Sequence, residues 1–171
     1  MIRVCFTGHR PNKFNGWGQP MPENIKNWLN KYLDKIISFG KEVEFISGAA
    51  QGLDQWAAKL VLEKRELNDN VKLTMAVPYK DFGSNWPKQA QNELEEINKQ
   101  ADKIVYVHKG IYTSPYLLQL RNEWMVNNSD LVIAVWDGST GGTFNCVQYA
   151  KLKKKKILWY NFVEDKTIKI N

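Results

Sequence analysis

The residues best suited to chemistry stand in short polar runs, each directly after an apolar stretch. Trp136-Asp137-Gly138-Ser139-Thr140-Gly141-Gly142-Thr143 follows the apolar run that begins at Leu131 and precedes a helix-like segment. A strand that ends in a loop of glycines and hydroxyls and restarts as a helix presents backbone N–H groups to an anion, above all a phosphate. The same glycines would also serve a tight turn with no ligand. A second run is Thr7-Gly8-His9-Arg10-Pro11. Gly8 admits a close backbone approach, Thr7 and His9 offer hydrogen bonds, and Arg10 brings a forked cation suited to phosphate or carboxylate. His9 has the titration range of a general acid or base, although no Ser-His-Asp or Cys-His arrangement accompanies it. A third run, Ser47-Gly48-Ala49-Ala50-Gln51-Gly52-Leu53-Asp54, keeps its surface small and ends where a helix would aim its positive pole. Asp54, in that helix's first turn, reads equally as a dipole-matching cap and as a ligand contact.

The elements that must position these loops alternate in type. Arg3 to Thr7, Val43 to Ser47, Val71 to Pro78, Lys103 to Val107, Leu131 to Trp136 and Lys156 to Tyr160 read as strands. Between them, Glu23 to Phe39, Leu53 to Glu66, Trp86 to Gln100, Tyr116 to Asn128 and Thr143 to Lys153 carry helical patterns. The alternation predicts an α/β fold: a single Rossmann-like domain with a mostly parallel sheet, helices on both faces and ligands gathered at the strands' carboxyl ends. Asn12 to Met21, with Gly16, Gly18 and Pro20, is the longest polar loop near the first strand and a candidate flap. Trp28, Leu29 and Tyr32 share a helix face that would suit either a core or a homo-oligomer contact.

Composition narrows the function classes. The chain has 171 residues, 43% of them hydrophobic, which suits one soluble domain. Its apolar runs are strand-sized and its start reads as a strand, so neither a membrane span nor a signal peptide is expected and the cytoplasm is the expected location. Cys5 and Cys146 are the only cysteines and form no CxxC or Cys/His cluster, which argues for reduced core thiols and no metal. The net charge of +6 owes much to Lys151 and Lys153 to Lys156, a run that matches a helix C-terminal dipole without nucleic acid. The seven tryptophans are scattered along the sequence and outline no base-stacking platform. Glycine spacing departs from the dinucleotide fingerprint, and no Gly-Lys-Ser or Gly-Lys-Thr phosphate loop occurs.

In this order, Thr7 to Pro11, Ser47 to Asp54, Arg121-Asn122, Ser129-Asp130 and Asp137 to Thr143 resemble the YpsA-like branch of the SLOG superfamily over nearly the whole chain. That superfamily includes the "lonely guy" phosphoribohydrolases and the Rossmann domain of DNA-processing protein A. The resemblance implies a ligand-binding site at Thr7, Gly8, His9, Arg10, Ser47, Gly48, Gly52, Asp54, Arg121, Asp137, Gly138, Gly141, Gly142 and Thr143. No cofactor is fixed; the implied ligand is a nucleotide derivative such as ADP-ribose, NAD or a nucleoside monophosphate.

One departure limits the chemistry. In the phosphoribohydrolase pattern a glutamate follows the glycine loop, and here Cys146 stands in its place, with no carboxylate again until Glu164. Glycosidic cleavage calls on a carboxylate. The leading expectation is therefore a sensor or regulatory module that binds a small nucleotide, with Arg121 adding positive charge. The lesser reading of Arg121 is a surface residue paired with Glu123 or Glu95. An N-glycosidic hydrolase using Asp54 or Asp137 is an alternative, as is single-stranded DNA binding through Arg10, Arg121 and the lysines around Lys153.

Overall fold

The computed structural model describes residues 1–171. Seven strands form one sheet: β1 (Ile2–Gly8), β2 (Val43–Ser47), β3 (Val71–Val77), β4 (Lys103–Tyr106), β5 (Leu131–Val135), β6 (Lys156–Asn161) and β7 (Lys166–Ile170). Their spatial order is β4-β3-β2-β1-β5-β6-β7, with every neighbouring pair parallel except β6 and β7. Five helices connect them: α1 (Glu23–Ile37), α2 (Leu53–Arg65), α3 (Lys88–Gln100), α4 (Tyr116–Asn127) and α5 (Gly142–Leu152).

Alternation along the strands divides the core into two layers. Val4, Phe6, Phe45 and Leu73 pack against Leu29 of α1, Val61 of α2 and Ile97 of α3. Cys5, Ile46, Val132 and Ala134 point the other way, onto Met125 of α4 and Val147 of α5. The chain winds outward from β1 to β4, crosses to the opposite face through α4 and resumes at β5 on the other side of β1. The switch point therefore lies between β1 and β5, where a doubly wound sheet opens a crevice at its carboxyl edge. Gly8 pairs in register with Val135, so the loops leaving these two strands start side by side.

Three sequence expectations change. β7 lies beyond the last expected strand and closes the sheet as an antiparallel edge; the turn before it is fixed by Asn161 Oδ1, which accepts from the N–H groups of Val163 and Glu164. α3 starts at Lys88, not Trp86, because Pro87 biases the residue before it away from helical backbone. α1 stops at Ile37, leaving Phe39 exposed. Trp28 and Leu29 are buried core residues, and the Trp28 indole N–H donates to Thr167 Oγ1 of β7 at 2.9 Å. No helix is long and apolar enough to cross a membrane.

Candidate functional site

A cavity of about 360 Å³ opens at the carboxyl ends of β1 and β5. Nine of the residues singled out in the sequence line it: Thr7, Gly8, His9, Arg10, Asp54, Arg121, Gly141, Gly142 and Thr143. The other five, Ser47, Gly48, Gly52, Asp137 and Gly138, stand behind these and hold them in place.

Gly48 and Gly52 show why the second loop is built from small residues. A Cβ on Gly48 would lie 2.6 Å from Arg121 Nη1 and 2.8 Å from Asp54 Oδ2. On Gly52, whose φ is +92°, a Cβ would lie 2.5 Å from the His9 carbonyl oxygen. The loops after β1 and β2 therefore meet backbone to backbone, and the Leu53 N–H donates to that same His9 carbonyl at 3.2 Å. The Ser47 hydroxyl donates to the Asp54 carbonyl at 2.7 Å, and the Ala50 N–H donates to Asp54 Oδ2 at 3.3 Å. The amino end of α2 is thus largely satisfied from within the protein.

The amino end of α5 differs. Gly141 precedes it at φ +141°, no side chain caps it and its first turn carries no acidic residue. Neither a side chain nor a loop carbonyl takes the first-turn N–H groups, so they remain free to meet a ligand. A Cβ on Gly141 or Gly142 would meet nothing within 4 Å, which marks this stretch as the open lip of the cavity.

Arg121 and Asp54 form the buried floor. The guanidinium lies 3.9 Å from Asp54 Oδ2, its Nε donates to Asn122 Oδ1 at 2.9 Å, and Nη1 donates to the Gly48 carbonyl. Burial pushes the Asp54 carboxyl up and weakens the hold of Arg121 on its proton; each shift is partly opposed by the other's charge and, at Asp54, by Arg10. The surface pairing of Arg121 with Glu123 or Glu95 does not occur. Arg10, half-buried on the same wall, forms no ion pair or side-chain hydrogen bond with the protein.

On the other side of the cavity, His9 Nε2 lies 2.9 Å from Asp137 Oδ1, which also accepts from the Ser139 N–H and hydroxyl. The same ring nitrogen lies 3.3 Å from the Asp137 N–H, so Nε2 donates to the carboxylate when it carries the ring proton and accepts from that N–H in the other tautomer. Burial against Phe14 and Phe162 lowers the His9 pKa below its ordinary value, while Asp137 partly restores it. For Asp137, burial acts upward but is outweighed by the Ser139 hydrogen bonds and by His9, so its carboxyl is held low. Gly138, at φ +90°, lets the chain turn beside Trp159.

Cys146 lies one turn into α5, fully buried. Burial pushes its thiol up to about 11, against a hydrogen bond with Thr7. It is a neutral core group at neutral pH and cannot take over the role of a carboxylate. The lysines around Lys153 sit at the far end of α5, about 16 Å along an eleven-residue helix from the cavity, so they share no surface with Arg10 and Arg121. Lys155 instead donates to the Ser129 carbonyl at 2.7 Å.

Asn12 and Lys13 of the candidate flap and Ser139 of the glycine-rich run also line the cavity, although none was among the binding residues expected from the sequence. Asn12 and Lys13 reach it on a short 3-10 turn, Pro11–Lys13, that starts right after Arg10. Proline directly after an Arg-bearing strand end was the available signal for such a turn.

A mostly parallel, doubly wound sheet with a polar cavity at its switch point defines a Rossmann-like domain. The chain belongs to the YpsA family: its model, described as the YspA SLOG family, matches residues 4–164. The chain is 30% identical over 142 residues to the uncharacterized SPbeta prophage-derived protein YoqJ of Bacillus subtilis (strain 168), covering 77% of this chain and 83% of that protein. It is 29% identical over 160 residues to a UPF0398 protein of Bacillus cereus (strain ATCC 14579), covering 92% and 86% respectively. Among solved structures it is similar to DNA processing protein A from Helicobacter pylori, with TM-score 0.62 and 21% identity. That match covers 92% of this chain but 64% of the solved chain, and it shows the shared fold.

Proposed function

We propose that this protein binds the phosphate-bearing part of a nucleotide derivative in the β1/β5 cavity and acts as a binding module, not as a hydrolase. One observation carries the reading: the open amino end of α5 and the unpaired Arg10 face the same small polar cavity. Free backbone N–H groups, a helix dipole and a forked cation together complement a phosphate. Lys13 adds a second exposed cation at the rim. ADP-ribose, NAD and nucleoside monophosphates all present the required group.

The carboxylates support binding over turnover. Asp54 is held against Arg121 in the floor, and Asp137 Oδ1 is already occupied by His9 and Ser139. The Ser139 hydrogen bonds and His9 also hold the Asp137 carboxyl low, which makes it a weak base for activating water.

A thermal-shift series with ADP-ribose, NAD, AMP and a short single strand of DNA, followed by chromatography of each mixture, tests the proposal. A ligand that binds the folded state raises the melting temperature by mass action. Stabilisation by a nucleotide without product supports it. Released base would establish the hydrolase instead, and stabilisation by DNA alone would transfer the site to single strands, the ligand of the Helicobacter pylori protein.

A further inference from the structure

Along α2, on the side of the sheet covered by α1 to α3, runs a larger groove of about 870 Å³, bounded by α2, the start of α3 and the loop Trp17 to Met21. We propose that this groove binds a neutral polyhydroxylated ligand, a sugar or short oligosaccharide.

Its floor is one stripe of α2. Gly52, Gln55, Trp56, Lys59, Leu60 and Glu63 recur at helical spacing and extend about 16 Å along the helix. That length suits several sugar rings in series. Three tryptophans stand along it: Trp17, Trp56 and Trp86. None stacks on another; Trp56 is braced by Phe14 at 5.2 Å and Trp86 by Phe82 at 5.0 Å between ring centroids. Two aromatic plates are thus preset, and the third, Trp17, is 55% exposed on the loop. Aromatic faces of this kind receive the C–H face of a pyranose ring through dispersion and the ring quadrupole.

The polar lining matches hydroxyl groups, which both donate and accept. Gln51, Asn85 and Gln89 can do both, the carboxylates of Glu23, Glu63 and Glu93 accept, and the indole N–H groups donate. The indoles of Trp28, Trp136 and Trp159 are bonded to protein acceptors, whereas those of Trp17, Trp56 and Trp86 are not. Charge separates this groove from the β1/β5 cavity. Its three carboxylates outnumber Lys26 and Lys59, and Lys59 is paired with Glu93, so the lining holds no cation cluster for a phosphate polymer. Gly52 stands between the two hollows, where even a Cβ would run into the His9 carbonyl oxygen and Arg10 Cα.

Tryptophan fluorescence of the full chain, titrated with cellohexaose, maltohexaose and chitohexaose, tests the proposal. Trp86 packs on Gly83 and Phe82, so its removal risks unfolding. Trp17→Ala and Gln89→Ala alter exposed side chains and carry the test. The expected result is a saturable change with at least one sugar, weakened about tenfold by either substitution and unchanged by Arg10→Ala. Three results would overturn it: no response from any of the three sugars up to about 10 mM, a response only to an oligothymidine of similar length, or a sugar response that both substitutions leave intact. Arg10→Ala keeps the two hollows distinguishable, because it strikes the nucleotide cavity alone.

Discussion

His9 Nε2 and Asp137 Oδ1 lie 2.9 Å apart and tie the loop after β1 to the loop after β5 across the switch point of the sheet. The two residues are far apart in sequence but share one sheet edge, since Gly8 and Val135 are in register. Both loops supply the cavity wall, so this contact sets the width of the mouth.

The pair gives the fold a defined acid response. Burial holds the His9 pKa below its ordinary value of 6.5. In the unfolded chain the imidazole protonates as pH falls through that value, while the folded imidazole stays neutral. The unfolded state then binds more protons, and stability drops on acidification below about 6.5. Asp137, held low, adds a second loss only as pH falls through its ordinary 3.8. Urea midpoints at about pH 7.5 and 5.5 are expected to fall for the natural protein and to fall less for His9→Gln. Equal declines would remove His9 as the cause.

Arg121→Met is expected to be strongly destabilising. It leaves the Asp54 carboxylate buried without its cation, at a cost of about 3–5 kcal/mol. Asp54→Asn should cost less than Arg121→Met, because a neutral amide keeps a hydrogen-bonding oxygen beside the guanidinium. Chemical denaturation of the two variants settles the order, and a mild Arg121→Met phenotype would show that Asp54 is held by other groups.

Arg10 presents the reverse case. It has no protein partner, so Arg10→Ala should change stability by no more than about 0.5 kcal/mol. Loss of a charge-assisted contact to phosphate costs about 1.5–3 kcal/mol, so nucleotide affinity should fall at least tenfold. Calorimetric titration with the best nucleotide from the thermal-shift series measures this directly. Unaltered affinity would place the phosphate elsewhere.

Gly142→Leu should spare the fold and block the site. Position 142 has an ordinary helical backbone, and an added Cβ there meets no atom within 4 Å. The leucine would stand at the lip of the cavity beside the open N–H groups of α5. The melting temperature without ligand is expected to stay near that of the natural protein, while the nucleotide-induced rise disappears. A retained rise would mean that the ligand does not approach the α5 terminus.

The alternation of strands and helices is legible in the chain, because apolar periodicity and glycine punctuation are local signals. So are the loops at the ends of β1, β2 and β5, since a polar run directly behind a strand must emerge at the carboxyl edge of a parallel sheet. β7 escaped detection: Lys166-Thr167-Ile168-Lys169-Ile170 is short and charged, and it becomes a strand only by pairing with β6. The division of labour inside the site was likewise illegible. Arg10 and Arg121 look alike in sequence, but packing leaves one unpaired at the cavity wall and buries the other against Asp54 and the Gly48 carbonyl. The three groove tryptophans are separated by 39 and 30 positions in the chain, so no local pattern joins them. Tertiary structure alone decided these relationships, because a buried charge or a shared wall depends on which distant elements the sheet order brings together.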